Sequence, residues 1–481
     1  MATHHNNMPF LLERKDVELV KPAKPTPFEV LSFSSIDNDR NLELLCQSIY
    51  VYQAKPILSN GNAHHRDGIA SKFNCKGADS DPACVIKDAI SNVLVQYYPL
   101  AGKLKRNSDG RLNITCSGDG VPFLEATANC QLSSLHYLDG IDVDIAKQFV
   151  FDFPSKIESG YYPLVFQVTK FSCGGFTIGM GLSHSVCDGF GASQFFRAMA
   201  EFASGKTEPT LKPVWERERL VGKATQEPLP PIVESAGLAK SPYLPTTDIL
   251  HECFYVNSES IRRLKMNLMQ ELRDENGVTK ESFSTLEVLG AYIWRSRFRA
   301  FKLNPDGKTI FFLTMGIRQL LNPPLPSGYY GNAISSSTVD LMGRNLNEGP
   351  LSEAVKLIKE SKKLASNSDY IWNRINIMET LIEKNIKIEA GSGAVMVLTD
   401  WRQLGLLEEV DFGWKAAVNI IPVPWNMFGY VDLCIFLPPS NLDSSMKGGV
   451  RVLISLPRAA MPKFKEEMDA LLQLGDEEAN P

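Results

Sequence analysis

Between Leu182 and Phe196 the chain reads LSHSVCDGFGASQFF, which sets His184 four residues ahead of Asp188 and Gly189 in an otherwise apolar run. A free imidazole has a pKa of about 6.5, so at neutral pH it is mostly uncharged and able to take a proton. To act as a base it must face a substrate and be held in one orientation. Asp188 is close in sequence, yet in so short a loop its side chain can point away from the ring and lock the turn by pairing with a distant cation. From this spacing alone, a base and a core histidine beside a plain turn both remain open. Other chemistries fit less well. Gly181-Leu-Ser183-His-Ser185 lacks the second glycine of a serine-hydrolase elbow. Cys187 lies three residues from His184, but no further Cys/His cluster answers it, so no metal site is expected. His4, His5, His64 and His65 sit in polar, loop-like stretches, and His136 and His251 have no motif around them.

Position adds to the case for chemistry. The runs LVFQVTKF and FTIGMGL flank Gly174-Gly175 as a hairpin does. GFGASQFFRAMAEFASG then has apolar residues at helical spacing and a closing Gly205. His184 is thus expected just beyond a strand end and before a helix start, among small residues (Ser183, Ser185, Gly189, Gly191) that permit close approach. Earlier, LLCQSIYVYQ reads as a strand, Asp81-Pro82 opens a helix ended by Tyr98-Pro99, and GRLNITCSGDGVPFLEATANC reads as a hairpin. From Leu211 to about Leu250 the chain is rich in proline and small residues, which predicts a crossover linker. It divides an N-terminal domain, 1–210, from a C-terminal one, 251–481. The second half restarts with a strand (HECFYVN), a helix (SESIRRLKMNLMQEL), a helix opened by Ser284 and a strand (TIFFLTMGI). A long helix from about Leu351, strands near AVMVLTDW and VDLCIFLP, and a closing strand and helix complete it. Two α/β domains are predicted.

The chain has 481 residues, 44% of them apolar and 22% charged, and a net charge of -5. That balance gives no basic field for nucleic acid and no argument for an anionic membrane. No run approaches the roughly 18–20 apolar residues of a spanning helix, and the polar start lacks the apolar centre of a secretion signal. The nine cysteines are scattered with no CxxC spacing. A cytoplasmic monomer with no disulfide frame is expected.

HSVCDG at 184–189 taken with DFGWK at 411–415 resembles the plant BAHD family of acyl-CoA-dependent acyltransferases, which carries HxxxDG near its middle and DFGWG toward its C-terminus. YYPLAGKL at 97–104, QVTKFSCGGFTIG at 167–179 and GIRQLLNPPLPSGYYGNA at 316–333 are similar to further stretches of that family, in the same order. The resemblance implies two similar α/β, chloramphenicol-acetyltransferase-like domains with mixed sheets, joined by a long crossover, with a solvent channel between them. It implies His184 as general base, with Asp188 and Gly189 supporting its loop through a salt bridge from Asp188 to Arg318. Thr399 and Trp401 are implied in an acceptor pocket, and Asp411, Phe412, Gly413 and Trp414 in a structural loop away from the reacting atoms. Acyl-CoA is implied as co-substrate, with no bound cofactor and no metal. The acceptor then attacks the thioester directly in a ternary complex. PAKPTP and NPPLPSGYYGN look most like members that acylate alcohols or taxane hydroxyls with acetyl or benzoyl groups, so an O-acyltransferase is expected. An N-acyltransferase and a catalytically silent binding protein are the alternatives. The chain departs from the family at Lys415, where the pattern has glycine; at positive φ a lysine costs on the order of 1 kcal/mol relative to glycine.

Overall fold

The computed structural model describes residues 9–55, 81–140, 142–153, 160–226, 229, 237–272, 281–388, 393–407, 410–423 and 432–473. Its β-rich runs assemble into two large sheets. The first has the order Leu12–Arg14, Val121–Ala128, Leu164–Phe171, Phe176–Ser183, Leu45–Tyr52, Asn419–Val423, with Glu18–Val20 also paired to Val121–Ala128. The second has the order Ile249–Val256, Val450–Pro457, Asp432–Leu437, Val395–Asp400, Lys308–Gly316, Ile334–Met342. Both are mixed. Val121–Ala128 runs parallel to Leu164–Phe171, and Val395–Asp400 runs parallel to both of its neighbours. Helices Pro82–Val93 and Gly189–Ala203 bury their apolar faces in the first core. Thr285–Ala300, Leu351–Ala365 and Met461–Gln473 do so in the second. The two-domain α/β architecture expected from the sequence is the one observed.

Local chemistry fixes the helix ends. Asp81 accepts from the Ala83 N–H ahead of Pro82, and Ser284 with Glu287 forms a reciprocal capping box. The first helix ends at Val93; Tyr98-Pro99, expected to stop it, instead opens a separate 3-10 turn, Tyr98–Ala101. The expected long helix from Leu351 is two. It breaks after Ala365, where the Asn367 side chain accepts from the Asp369 and Tyr370 N–H groups and starts Ser368–Glu383.

Two further expectations need correction, and one strand crosses between the sheets. Leu112–Thr115 and Val121–Ala128 are not a hairpin: the first joins Val30–Ser32 and Lys103–Arg106 in a small third sheet. Val121–Ala128 is buried along nearly its whole length, so it takes partners on both sides in the large sheet, whereas Leu112–Thr115 alternates between buried and half-buried. The C-terminal part of the chain also reaches the first sheet. Asn419–Val423 pairs antiparallel with Leu45–Tyr52, covering what is otherwise an open edge of the first sheet, and Leu404 to Ala417 feeds the first core. Finally, Cys84 is disulfide-bonded, where no disulfide frame was expected.

Candidate active site

Strand Phe176–Ser183 ends inside the molecule, and His184 follows it directly. The His184 N–H donates to the Leu44 carbonyl at 2.9 Å, and its own carbonyl accepts from Asn332 Nδ2 at 2.7 Å. The backbone is thus gripped from both sides, and the half-buried side chain lines a cavity of about 870 Å³ between the two sheets. Burial holds the imidazole pKa below its ordinary 6.5. Hydrogen bonding to its own backbone and to Asn332, with the charges of Asp188 and Asp37, pulls the other way. The ring is therefore neutral at pH 7, the state in which it can accept a proton.

Asp188 does not need the ring to satisfy it. Its carboxylate takes Arg318 Nη1 and Nη2 at 2.8 Å each, the Gly191 N–H at 2.9 Å and the Ala333 N–H at 3.0 Å. Those four donors fill its acceptor sites, and the bond to Gly191 caps helix Gly189–Ala203. Arg318 also donates to the Gly331 carbonyl at 2.8 Å, so the ion pair staples the helix start to the GYYGNA run. Gly191 has to be glycine, because a Cβ there meets the Tyr330 carbonyl oxygen at 2.0 Å.

Sequence reasoning missed the layer beneath. Asp37, fully buried, accepts from Asn332 Nδ2 at 2.8 Å, from the Asn332 N–H at 3.1 Å and from Ser34 Oγ at 2.7 Å. It pairs with Arg217 at 3.3 Å, whose other amine group donates to the Val186 carbonyl at 2.8 Å. Arg217 stacks on Trp215, 4.3 Å from the ring centroid. The His184 turn is therefore held on one side by Asp188 and Arg318 and on the other by Asp37, Arg217 and Asn332. The only signal in the sequence was Asn332 inside the GYYGNA stretch; Asp37 and Arg217 lie 295 and 115 residues away from it in the chain.

Gly189, Thr399 and Trp401 also line the cavity, Thr399 from strand Val395–Asp400 and Trp401 from just past its end. None of Asp411, Phe412, Gly413, Trp414 or Lys415 does. Asp411 bonds the Gly413 N–H at 2.6 Å, and Phe412 and Trp414 are core residues of the first domain. Lys415 is exposed and has φ 68°, the left-handed region in which glycine is at ease. His4, His5, His64 and His65 lie outside the described residues. His251 Nδ1 bonds Ser455 Oγ at 2.7 Å across two strands.

The cavity's charges divide into matched and unmatched. Asp188 is matched by Arg318, Lys362 by Glu287 at 2.6 Å, and Asp400 by Arg402 at 2.6 Å. Asp39 accepts the Asn41 N–H at 2.9 Å, and Arg374 donates to Ser336 Oγ at 3.1 Å. Among the described residues neither forms an ion pair. Burial raises the Asp39 carboxyl to about 6, against the opposing pull of the Asn41 N–H and the charges of Arg106 and Lys387. Burial lowers the Arg374 guanidinium. Among the described residues no group of three or more His, Cys, Asp or Glu is arranged to hold a metal, and no helix is long and apolar enough to cross a membrane.

Residues 73–471 match the family described as the Transferase family. Over 472 residues, 97% of each chain, the sequence is 44% identical to a spermidine coumaroyl-CoA acyltransferase of Arabidopsis thaliana. It is 42% identical over 470 residues to a spermidine sinapoyl-CoA acyltransferase of the same plant, covering 97% and 98% of the two chains. A taxadien-5-alpha-ol O-acetyltransferase of Taxus chinensis is 32% identical over 458 residues, 95% of each. Among solved structures, vinorine synthase superposes with a TM-score of 0.70 at 21% identity, covering 96% of this chain and 98% of that one. An F. graminearum protein complexed with coenzyme A and deoxynivalenol superposes at 0.68 with 14% identity, covering 91% and 97%.

Proposed function

The chain is a member of the plant BAHD family of acyl-CoA-dependent acyltransferases, and from that premise we propose that it moves an aromatic acyl group from CoA to an amine nitrogen of an aliphatic polyamine. The observation that carries this reading is the pair of relatives at 44% and 42% identity, both named for spermidine and for a coumaroyl or sinapoyl donor. O-acylation of an alcohol is the second reading, supported by the 32% relative named for a taxadienol. The same base serves either nucleophile.

In the proposed reaction the amine attacks uncharged. Its lone pair bonds the thioester carbonyl carbon, and the carbonyl π pair moves onto oxygen. Nitrogen bonded in this way is positively charged and much more acidic than a free ammonium, so a base with a pKa below 6.5 is strong enough to remove its proton. His184 takes that proton on the ring nitrogen facing the cavity. The tetrahedral intermediate collapses, the carbon–sulfur bond breaks, and the departing thiolate recovers the proton from the imidazolium. The products are an amide and free CoA thiol. The anchored backbone at residue 184 and the saturated Asp188 keep the ring aimed throughout.

Two cysteines line the same cavity, but neither is a ready nucleophile. Burial, with the charge of Asp188, pushes the Cys187 thiol well above its usual range, and burial pushes Cys46 up to about 12. The thiolate is the reactive form, so this supports direct transfer over an acyl-enzyme. Thr399 and Trp401 are read as walls of the acceptor pocket.

The test is incubation with coumaroyl-CoA or sinapoyl-CoA and either spermidine or a panel of alcohols, following thiol release and product mass. Amide products with spermidine are expected. Ester products alone shift the assignment to O-acylation, and no thiol release with any pair leaves a silent relative.

A further inference from the structure

We propose that Asp39 is the specificity-determining carboxylate of the acceptor subsite, pairing with a remote ammonium group of a polyamine while another of its amines is acylated. This rests on the amine reading above. Asp39 and His184 line one cavity. The wall around them includes Ile36, Leu42, Ile375, Met378, Leu381 and Ile388, a greasy surface suited to methylene segments between charged ends.

The carboxylate has no evident structural task that requires its charge. Its bond to the Asn41 N–H closes a short turn, which an asparagine side chain closes equally well. The cations around it are occupied or distant in effect. Arg106 is paired with Glu43 at 2.8 Å, and Arg40 donates to Asn385 at 2.8 Å. Lys387 and Arg106 contribute only through their fields, and Arg374, on the same cavity, is hydrogen-bonded to Ser336. Other charged cavity residues are neutralised within the protein. Half-buried on an apolar wall with no ion-pair partner among the described residues, this carboxylate is costly to keep charged, and a ligand ammonium removes that cost. The same pairing discriminates: an alcohol or monoamine leaves the carboxylate unmatched, whereas a polyamine presents a second charge while its attacking nitrogen is neutral.

The experiment compares the parent protein with Asp39→Asn and Asp39→Glu, using spermidine and 1-aminoheptane as acceptors. Spermidine binding to the CoA-loaded protein is measured in parallel by calorimetry. Asp39→Asn is expected to raise the spermidine KM on the order of 10- to 100-fold with kcat within about threefold, and to weaken calorimetric binding to match. The effect on 1-aminoheptane is expected to be at least about tenfold smaller, and Asp39→Glu to recover part of the spermidine affinity. Equal losses for both acceptors overturn the proposal, because they mark a structural role. Parent-like spermidine binding in Asp39→Asn overturns it while leaving the amine reading intact. If the parent neither binds nor acylates spermidine, the amine reading falls and the proposal with it.

Discussion

The turn at 184–189 and the turn at 411–415 are built from opposite forces. In the first, a carboxylate takes four donors and a backbone carbonyl is pinned by a buried amide, so direction is fixed at each contact. In the second, Phe412 is fully buried, edge-on to Tyr52 at 5.9 Å and to Phe196 at 5.4 Å. Trp414 meets Phe176 at 5.1 Å and carries Lys55 over its face at 4.0 Å. Hydrogen bonds to charged groups are directional, whereas apolar burial supplies energy with little angular demand. A turn that must aim a side chain uses the first kind of restraint, and a turn that must hold a domain together uses the second. Only the first faces the cavity.

That division is broken most directly at its two centres. His184→Ala is expected to lower kcat by roughly 10²–10⁴ while the melting temperature stays close to that of the parent. A variant with parental kcat removes His184 from the chemistry altogether. Phe412→Ala is expected to do the reverse. It empties a ring-sized volume in the first core and costs about 3–5 kcal/mol of stability in denaturant titration, with KM and kcat per folded molecule unchanged. If Phe412→Ala lowers kcat in fully folded protein, the two turns are not separable.

A smaller effect sharpens the same contrast through pH. Burial lowers the His184 pKa below 6.5, so its neutral, proton-accepting form is fully present above that value and is lost as pH falls through the lowered pKa. With 1-aminoheptane as acceptor, which avoids the Asp39 titration near pH 6, kcat/KM calculated on the concentration of the uncharged amine is expected to show its histidine limb below pH 6.5, dropping about tenfold per unit on the acid side. A limb clearly above 6.5 indicates that some other group sets the rate.

The contrast also explains what was legible in the sequence. Periodicity and turn residues are local, so the hairpin around Gly174, the helix after Asp188 and the helix start at Ser284 could be read directly. The Asp188–Arg318 pair came from the family resemblance, and the bidentate geometry agrees with it. The assembly of the cavity was not legible. Asp39 meets Arg374 and Thr399 there from a segment hundreds of residues away, and no local pattern marks a charge that will be left unmatched. Strand Asn419–Val423 was hidden for a related reason: its short run gains meaning only from the edge it covers. Tertiary context decided these cases, as it also split the predicted pair at Leu112 and Val121 between two sheets.

Lys415 is the finest test of the comparison, because it perturbs the structural turn without touching its core. Its φ of 68° lies where a Cβ crowds the neighbouring carbonyl, and its exposed side chain has no hydrogen bond or ion pair among the described residues to offset the strain. Lys415→Gly relieves that strain but gives the unfolded chain more freedom, so the gains partly cancel. A net stabilisation of at most about 1 kcal/mol is expected, read as a small rise in the unfolding midpoint with an unchanged denaturant slope. Turnover with either acceptor should be unaltered, since the residue is not part of the cavity wall. A loss of acyl-CoA affinity in Lys415→Gly gives this turn a role in binding the donor, and the division between an aiming turn and a holding turn then fails at its last residue.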